Sequence, residues 1–496
     1  MRHLEKERSM LTFKDYLDKI GEIGSVEQVV GSIVYASGLP NAKPQELVVF
    51  ENGDIGQVFS ITQKQVEILI FSKNPIKVGT KIARSNSFLE IPVGRQLLGT
   101  IINPFGHLVG GKIGGKPVEK RPIENEPSGI TSRKTIKKHL ETGISVVDLI
   151  VPLGKGQREL VIGDRKTGKT NFILQAIVSA AKQNDIAIYA AIGKKRLDIK
   201  KAEEYFIRNK VMKNVVIVAS ASEDPPGTIY LTPYSAMTLA EYFKDEGLDV
   251  LLVLDDLSTH AKFYREIALL AGRFPGRNSY PGDIFYTHAR LLERAGNFAT
   301  KNGENAITCL PVVETTQGDL GGYIQTNLMS MTDGHLFFDS NLFYQGRRPA
   351  VNPFLSVTRV GRQAQSKLKG SIGRELTSFL NLYEKMQSFV HFGAELNETT
   401  KATLATGKDI LQFFDQNVNT LLPGNVQILI FSLLWGQMVK NDKLDKIMAE
   451  KQKISDLYEK DKTFRKKIDS LVENSQTLND LLQRIKLNSS YLKLVA

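Results

Sequence analysis

The sequence predicts a multidomain α/β protein: a short N-terminal helix and small β-barrel, then a central, mostly parallel α/β region, then a C-terminal α-helical bundle. Three observations predict it. Short strand-like runs punctuated by glycine and proline crowd residues 25–92. From 93 to about 365, continuous apolar runs alternate with helical stretches around one glycine-rich turn. Beyond that only helical spacing survives, so the expected domains are 1–92, 93–365 and 366–496.

Taken in order, Met10, Phe13, Leu17 and Ile20 fall at helical spacing and predict one short amphipathic helix. Residues 29–35, 46–50, 56–61, 66–71 and 80–83 read as strands, and Asn52-Gly53 is a two-residue hairpin signal. Strands this short and this close favour a closed barrel. In the central region, 159–162, 186–192, 215–219, 250–254 and 306–313 are apolar throughout rather than alternating. Strands covered on both faces read that way, which predicts a mostly parallel sheet with helices on either side. Residues 171–181 are the first of those helices. Toward the C-terminus Leu444, Ile447, Ile454, Leu457, Phe464, Ile468, Leu471, Leu478, Leu481 and Ile485 recur at threes, fours and sevens among lysines and acids. That is the single buried stripe of a helical bundle.

Composition narrows the class. Of 496 residues, 42% are hydrophobic and 24% charged, ordinary proportions for a soluble globular protein. The single cysteine, Cys309, excludes an internal disulfide and suits a reducing compartment. No apolar run approaches the roughly 18 residues a membrane span needs; the longest, 428–435, is interrupted by Ser432. The opening MRHLEKERSM has no apolar signal core. A net charge of +12 is compatible with nucleic acid, an acidic membrane surface, an acidic protein partner, or simply a lysine-rich composition.

The motif with most chemical content is Gly163-Asp164-Arg165-Lys166-Thr167-Gly168-Lys169-Thr170, a match to G-x-x-x-x-G-K-[ST] between a buried strand and a helix. Its glycines let backbone N–H groups turn around phosphate oxygens at a helix N-terminus. Lys169 is expected to reach the β- and γ-phosphates, and the Thr170 hydroxyl to hold Mg²⁺. The strand 250–254 delivers Asp255 to the same end, where it would hold that ion through its water shell. Hydrolysis would further need a group to activate water. The strand end after the loop helix offers Lys194, Lys195 and Arg196 instead, three cations suited to retaining a triphosphate rather than cleaving it. Glu314, closing the run 306–313, is either an ordinary strand-end acid or a phosphate-side group. Arg359, among small and apolar residues, is either a structural ion-pair partner or an arginine inserted into a neighbour's site.

These segments resemble the alpha subunits of F-type ATP synthases over nearly the full length. The resemblance rests on Gly31-Ser32-Ile33-Val34-Tyr35-Ala36-Ser37-Gly38-Leu39, Glu90-Ile91-Pro92-Val93-Gly94-Arg95, the stretch from Gly156 to Arg165, Tyr280-Pro281-Gly282-Asp283, Arg290-Leu291-Leu292-Glu293-Arg294-Ala295, Thr332-Asp333-Gly334 and Arg348-Pro349-Ala350. It implies a RecA-like nucleotide-binding domain and an alternating hexamer of three alpha and three beta subunits around a central gamma stalk, with a delta subunit at the peripheral stalk. It also implies a peripheral place on the cytoplasmic face of the cell membrane. Alpha would hold Mg-ATP or ADP noncatalytically through Gly163, Asp164, Arg165, Lys166, Thr167, Gly168, Lys169, Thr170 and Asp255. Arg348, Pro349 and Gln416 match positions lining the adenine pocket, while Ser330 and Arg359 match positions facing the neighbour's catalytic nucleotide. Against the family pattern, Lys166, Lys194 and Val418 each replace glutamine, the N-terminal helix is shorter, and the protein is basic rather than acidic.

Two alternatives accompany this reading. One is the same subunit in a repurposed rotary or gliding motor without a proton channel. The other is a hexameric helicase, whose barrel should offer aromatics for base stacking. Phe50, Phe59 and Phe71 fall instead at strand-core positions, so no direct contact with nucleic acid is expected.

Overall fold

The computed structural model describes residues 12–110, 119–391, 398–417, 420–438, 451 and 453–487. Met10, Val418, Leu444 and Ile447 lie outside the described residues. The N-terminal helix, Phe13–Ile20, opens with a reciprocal cap between Thr12 and Asp15 and ends at left-handed Gly21. Six antiparallel strands follow: Ile23–Val30, Ile33–Ser37, Glu46–Phe50, Ile55–Ile61, Val66–Ile70 and Lys81–Phe88. They close as a barrel in the order first, second, fifth, fourth, third, sixth.

The run 29–35, expected as one strand, is a hairpin: Val30 ends one strand, Ile33 begins the next, and Gly31 turns between them at φ +59°. Apolar residues on both sides hid the turn. Asn52-Gly53 does sit in a hairpin, but its connection spans residues 51–54, with Gly53 at φ +87°. Phe50 is buried in the barrel, Phe71 is buried where the barrel meets the central sheet, and Phe59 lies under the Arg273 guanidinium at 5.7 Å from its ring centroid. These three do not form a stacking surface.

The central sheet has ten strands. In spatial order nine of them are Val357–Thr358, Gly334–Phe338, Glu159–Asp164, Gly303–Thr315, Val250–Asp255, Ile186–Lys194, Val215–Ala221, Ile101–Ile102 and Leu108–Gly110. Gly296–Thr300 pairs with Gly303–Thr315 as a hairpin. The interior pairings are parallel, and antiparallel strands close both edges. Side chains alternate strictly between two hydrophobic cores. Ile162, Ile188, Val216 and Leu252 join the helix Pro226–Asp245 and the barrel residues Ile33, Leu47, Leu69 and Phe71. Val161, Tyr189, Ile217 and Leu251 join the loop helix and, beyond it, Phe413, Phe431, Ile468 and Leu481.

Among the described residues the regular elements of the C-terminal region are all helices: Lys367–His391, Glu398–Phe413, Gly424–Trp435, residues 453–460, Lys462–Glu473 and Leu478–Leu487. The expected stripe is buried at Ile454, Phe464, Ile468, Leu471, Leu478, Leu481 and Ile485. Leu457 is the exception, 41% exposed, because that helix buries Ile454 and Tyr458 one turn apart and turns Leu457 outward. The apolar run 428–435 is a core helix, buried all round. Among the described residues no helix is long and apolar enough to cross a membrane.

Candidate functional site

The strand Glu159–Asp164 lies inside the sheet, flanked on both sides by parallel neighbours, and releases the chain into a tight loop before the helix Lys169–Lys182. Only glycine fits at Gly163, where a Cβ would collide with the Phe338 carbonyl oxygen. Gly168, at φ +96°, is the helix N-cap, and the first N–H groups of that helix have no side-chain cap. Lys166 also adopts a left-handed conformation, φ +64°. The Thr167 hydroxyl donates to the Asp164 carbonyl at 2.8 Å and tightens the turn. Lys169 is buried, its ammonium donating to the Gly163 and Asp164 carbonyls at 2.7 and 2.5 Å; burial lowers its pKa. Uncapped helix N–H groups, a Cβ-free approach at Gly168 and a poised lysine fit a phosphate group. They open on a cavity of about 250 Å³ that Lys166, Thr170, Lys194, Asp255 and Glu314 also line.

Asp164 does not face that cavity chemically. Its carboxylate accepts from the Thr315 hydroxyl at 2.5 Å, the Gly318 N–H at 2.9 Å and the Ser340 hydroxyl at 2.7 Å. It braces neighbouring loops, and although partial burial disfavours its charge, these donors hold its pKa below the ordinary value. Arg165 is mostly exposed, and its Nε donates to Glu314 at 2.7 Å. Glu314 thus stands on the cavity wall with its charge already engaged.

The expected trio of cations reduces to one. Lys195 and Arg196 open the helix Arg196–Arg208, and Arg196 pairs with Glu223 away from the cavity. Lys194 alone turns in, its Nζ lying 2.7 Å from Asp255 Oδ1 and 3.0 Å from Asp256 Oδ2. Burial opposes its charge, but the two carboxylates outweigh this and raise its pKa, so it stays protonated. The remaining oxygens are also taken: Tyr189 donates to Asp255 Oδ2 at 2.8 Å, and the Thr259 N–H donates to Asp256 Oδ1 at 2.6 Å. An Mg²⁺ held by Thr170 and Asp255 would need carboxylate oxygens open to the ion's water shell. Thr170 is exposed at the first helical turn, but the Lys194 ammonium already sits against both Asp255 and Asp256, where it would repel a divalent cation. The residues present therefore do not fit the ion.

A second cavity of about 370 Å³ takes in Arg348 and Pro349. Arg348 stacks its guanidinium 3.7 Å from the centroid of Phe343, which lines the phosphate cavity. Gln416, expected on the adenine side, is buried with its amide fully committed. It accepts from Ser145 N–H at 2.9 Å and donates to the Gly143 and Thr420 carbonyls at 2.8 and 2.9 Å. It ties loops together and does not line either cavity.

Ser330 and Arg359 lie elsewhere. Ser330 is exposed in the last turn of the helix Tyr323–Met331, its hydroxyl donating to the Asn327 carbonyl. Arg359 follows the edge strand Val357–Thr358, and its N–H donates to the Asp333 carbonyl at 3.1 Å. Thr358 pairs with Gly334, and Gly334 pairs with Glu159, the first residue of the strand that leads to the loop. At a strand rise of about 3.3 Å per residue, Arg359 is roughly 16 Å along the sheet from its own phosphate loop. Its side chain is exposed, with no hydrogen bond or ion pair among the described residues; it acts on buried Glu159 and on His335 through its field alone.

Three residues at this site escaped sequence reading. Asp256 was visible as the acid after Asp255, but nothing in the spacing showed that it would share Lys194. Tyr189 and Phe343 gave no signal, being an aromatic in an apolar strand and one in the short helix Ser340–Tyr344.

Comparison with known proteins gives the family. The model of the ATP synthase alpha/beta family, nucleotide-binding domain, matches residues 143–358, and that of the ATP synthase alpha/beta chain, C terminal domain, matches 365–487. Among curated relatives, ATP synthase subunit alpha of Neorickettsia sennetsu is 42% identical over 421 residues, covering 82% of this protein and 82% of its own length. ATP synthase subunit alpha of Latilactobacillus sakei is 38% identical over 89% of this protein and 86% of its own length. That of Lactobacillus gasseri is 37% identical over 96% and 93%. With both family models and these alpha subunits spanning the barrel, the loop and the helical region, the chain belongs to the ATP synthase alpha/beta family and stands among its alpha subunits.

Proposed function

We propose that the protein is the noncatalytic, nucleotide-holding alpha subunit of an F-type rotary ATP synthase/ATPase. It binds ATP or ADP at the Gly163–Thr170 loop and lends Arg359 to the catalytic site of an adjacent beta subunit. The observation that carries the reading is the strand end at Lys194. Water activation needs a carboxylate within hydrogen-bond reach of the water. Here a protonated lysine, locked between two acids, occupies that strand end. Among the described residues the one other acid on the cavity, Glu314, is paired with Arg165.

The arginine assignment draws on distance: Arg359 is too far along the sheet to serve its own loop, and it is exposed toward whatever packs beside it. In an alternating ring of alpha and beta subunits around a gamma stalk, that neighbour is beta, and Ser330 faces the same partner. The Arg348–Pro349 cavity beside Phe343 is the place for the base. Delta of the peripheral stalk completes the contacts, and the membrane is reached on its cytoplasmic side through the complex alone.

The purified protein without beta should bind ATP yet hydrolyse it at no more than the background rate. Equilibrium binding of a fluorescent ATP analogue, followed by phosphate release from the same sample, tests both halves. Robust turnover by beta-free protein would overturn the noncatalytic assignment.

A further inference from the structure

The geometry points to Lys194 as the resident substitute for a divalent cation: its ammonium bridges Asp255, Asp256 and the terminal phosphate, so that the loop holds a nucleoside triphosphate without requiring Mg²⁺. This rests on the nucleotide-holding reading above and adds how the charge at that site is balanced.

The backbone delivers Lys194 to this point. The strand Ile186–Lys194 pairs with Val250–Asp255 up to Ala191 opposite Asp255, and its register on the other side shifts between Ala191 and Lys194. Gly193 takes φ +59° there, donates its N–H to the Ser220 hydroxyl at 3.0 Å, and would place a Cβ only 3.1 Å from Thr259. This turn aims the next side chain back across the strand ends, onto both aspartates.

An ammonium carries three donors and no acceptor. Two of Lys194's are committed to the carboxylates at 2.7 and 3.0 Å. The side chain also lines the phosphate cavity, which leaves its third donor for a phosphate oxygen. The arrangement joins protein carboxylates to phosphate through a positive centre, which is what a bound divalent ion does. An ion entering between Asp255 and the phosphate would have to expel the ammonium and then lie beside it, and two cations at that separation repel strongly. Lys166 and Lys169 supply further positive charge at the loop.

The test uses the full-length protein, a fluorescent ATP analogue, and buffers containing either Mg²⁺ or EDTA. The wild type should bind in EDTA within about threefold of its affinity in Mg²⁺, because the bridging charge is its own. Lys194→Gln frees Asp255 and should bind at least about tenfold more tightly with Mg²⁺ than with EDTA. A wild type that loses about tenfold or more in EDTA would mean that Lys194 swings aside for the ion, and would overturn the inference. The wild-type comparison stands even where the variant fails to fold. Binding in neither buffer would instead overturn the phosphate-site reading itself.

Discussion

Replacing Arg359 by alanine separates a residue that acts on a neighbour from one that holds its own subunit together. Its guanidinium is exposed and has no hydrogen-bond or ion-pair partner among the described residues. Its removal should therefore change folding stability by no more than about 0.5 kcal/mol, the usual range for a surface substitution. The field it exerts on Glu159 helps only a little, since burial already holds that carboxyl well above its ordinary pKa. Catalysis in the assembled ring should respond on a different scale. A trans arginine that stabilises charge on the transferring phosphoryl group contributes about 10³–10⁵ in rate, or roughly 4–7 kcal/mol of barrier. Arg359→Lys should recover little of this, because a point charge lacks the planar fork of donors. The assay is steady-state ATP hydrolysis per assembled hexamer, with thermal melting and alpha-site nucleotide occupancy measured alongside. Turnover within a few-fold of wild type would refute the in-trans role, and a large drop in melting temperature would show that Arg359 is structural after all.

Lys169→Ala removes the cation aimed at the phosphates and leaves the Gly163 and Asp164 carbonyls without their donor. One lost charged hydrogen bond of about 1.5–3 kcal/mol should weaken ATP binding about 10- to 100-fold in equilibrium titration, and unchanged affinity would mean the loop is not the site. Acid should destabilise the fold through a buried histidine pair. His260 and His288 share a hydrogen bond at 3.1 Å, and His260 also bonds the Tyr230 carbonyl. Burial depresses both pKa values, that of His260 to about 4. A base whose folded pKa lies below its unfolded value stabilises fully above the unfolded value and loses that contribution as pH falls toward the folded one. From about pH 6.5 down to about 4, His260 alone should forfeit about 3 kcal/mol, seen in denaturant titrations across that range. A flat profile would contradict it.

The interior strands were legible because a side chain buried on either face must be apolar, which leaves a continuous run. The same rule erased the turn at Gly31, whose flanks Val29, Val30, Ile33 and Val34 are all apolar. The edge strands Ile101–Ile102 and Leu108–Gly110 are too short to carry any period. The loop motif was legible because its chemistry demands particular residues at particular steps, and it does lie between a buried strand and a helix, with Gly163 where no Cβ fits. What spacing could not convey was where polar side chains go once folded. Asp164 turns to its neighbouring loops, Gln416 to backbone amides and carbonyls, and Lys194 to two acids at once. Each choice depends on strands far away in sequence.

The alternation of the central strands between two cores has a consequence for accuracy. Sliding any interior strand by a single residue would exchange its entire set of side chains, sending those of the barrel-side core into the helical side and the reverse. Two differently shaped interiors would both have to be refilled. No smaller slip exists, because the ladder allows only whole steps of about 3.3 Å. The strand ends at Gly163, Ala191 and Asp255 are thus indexed against one another by packing on both sides at once, and Lys194 follows three residues beyond Ala191. A slip of one whole step would move an acid or the ammonium by more than the 2.7 and 3.0 Å that separate them. The sheet behaves here as a vernier, converting coarse hydrophobic sorting into fine alignment at its edge.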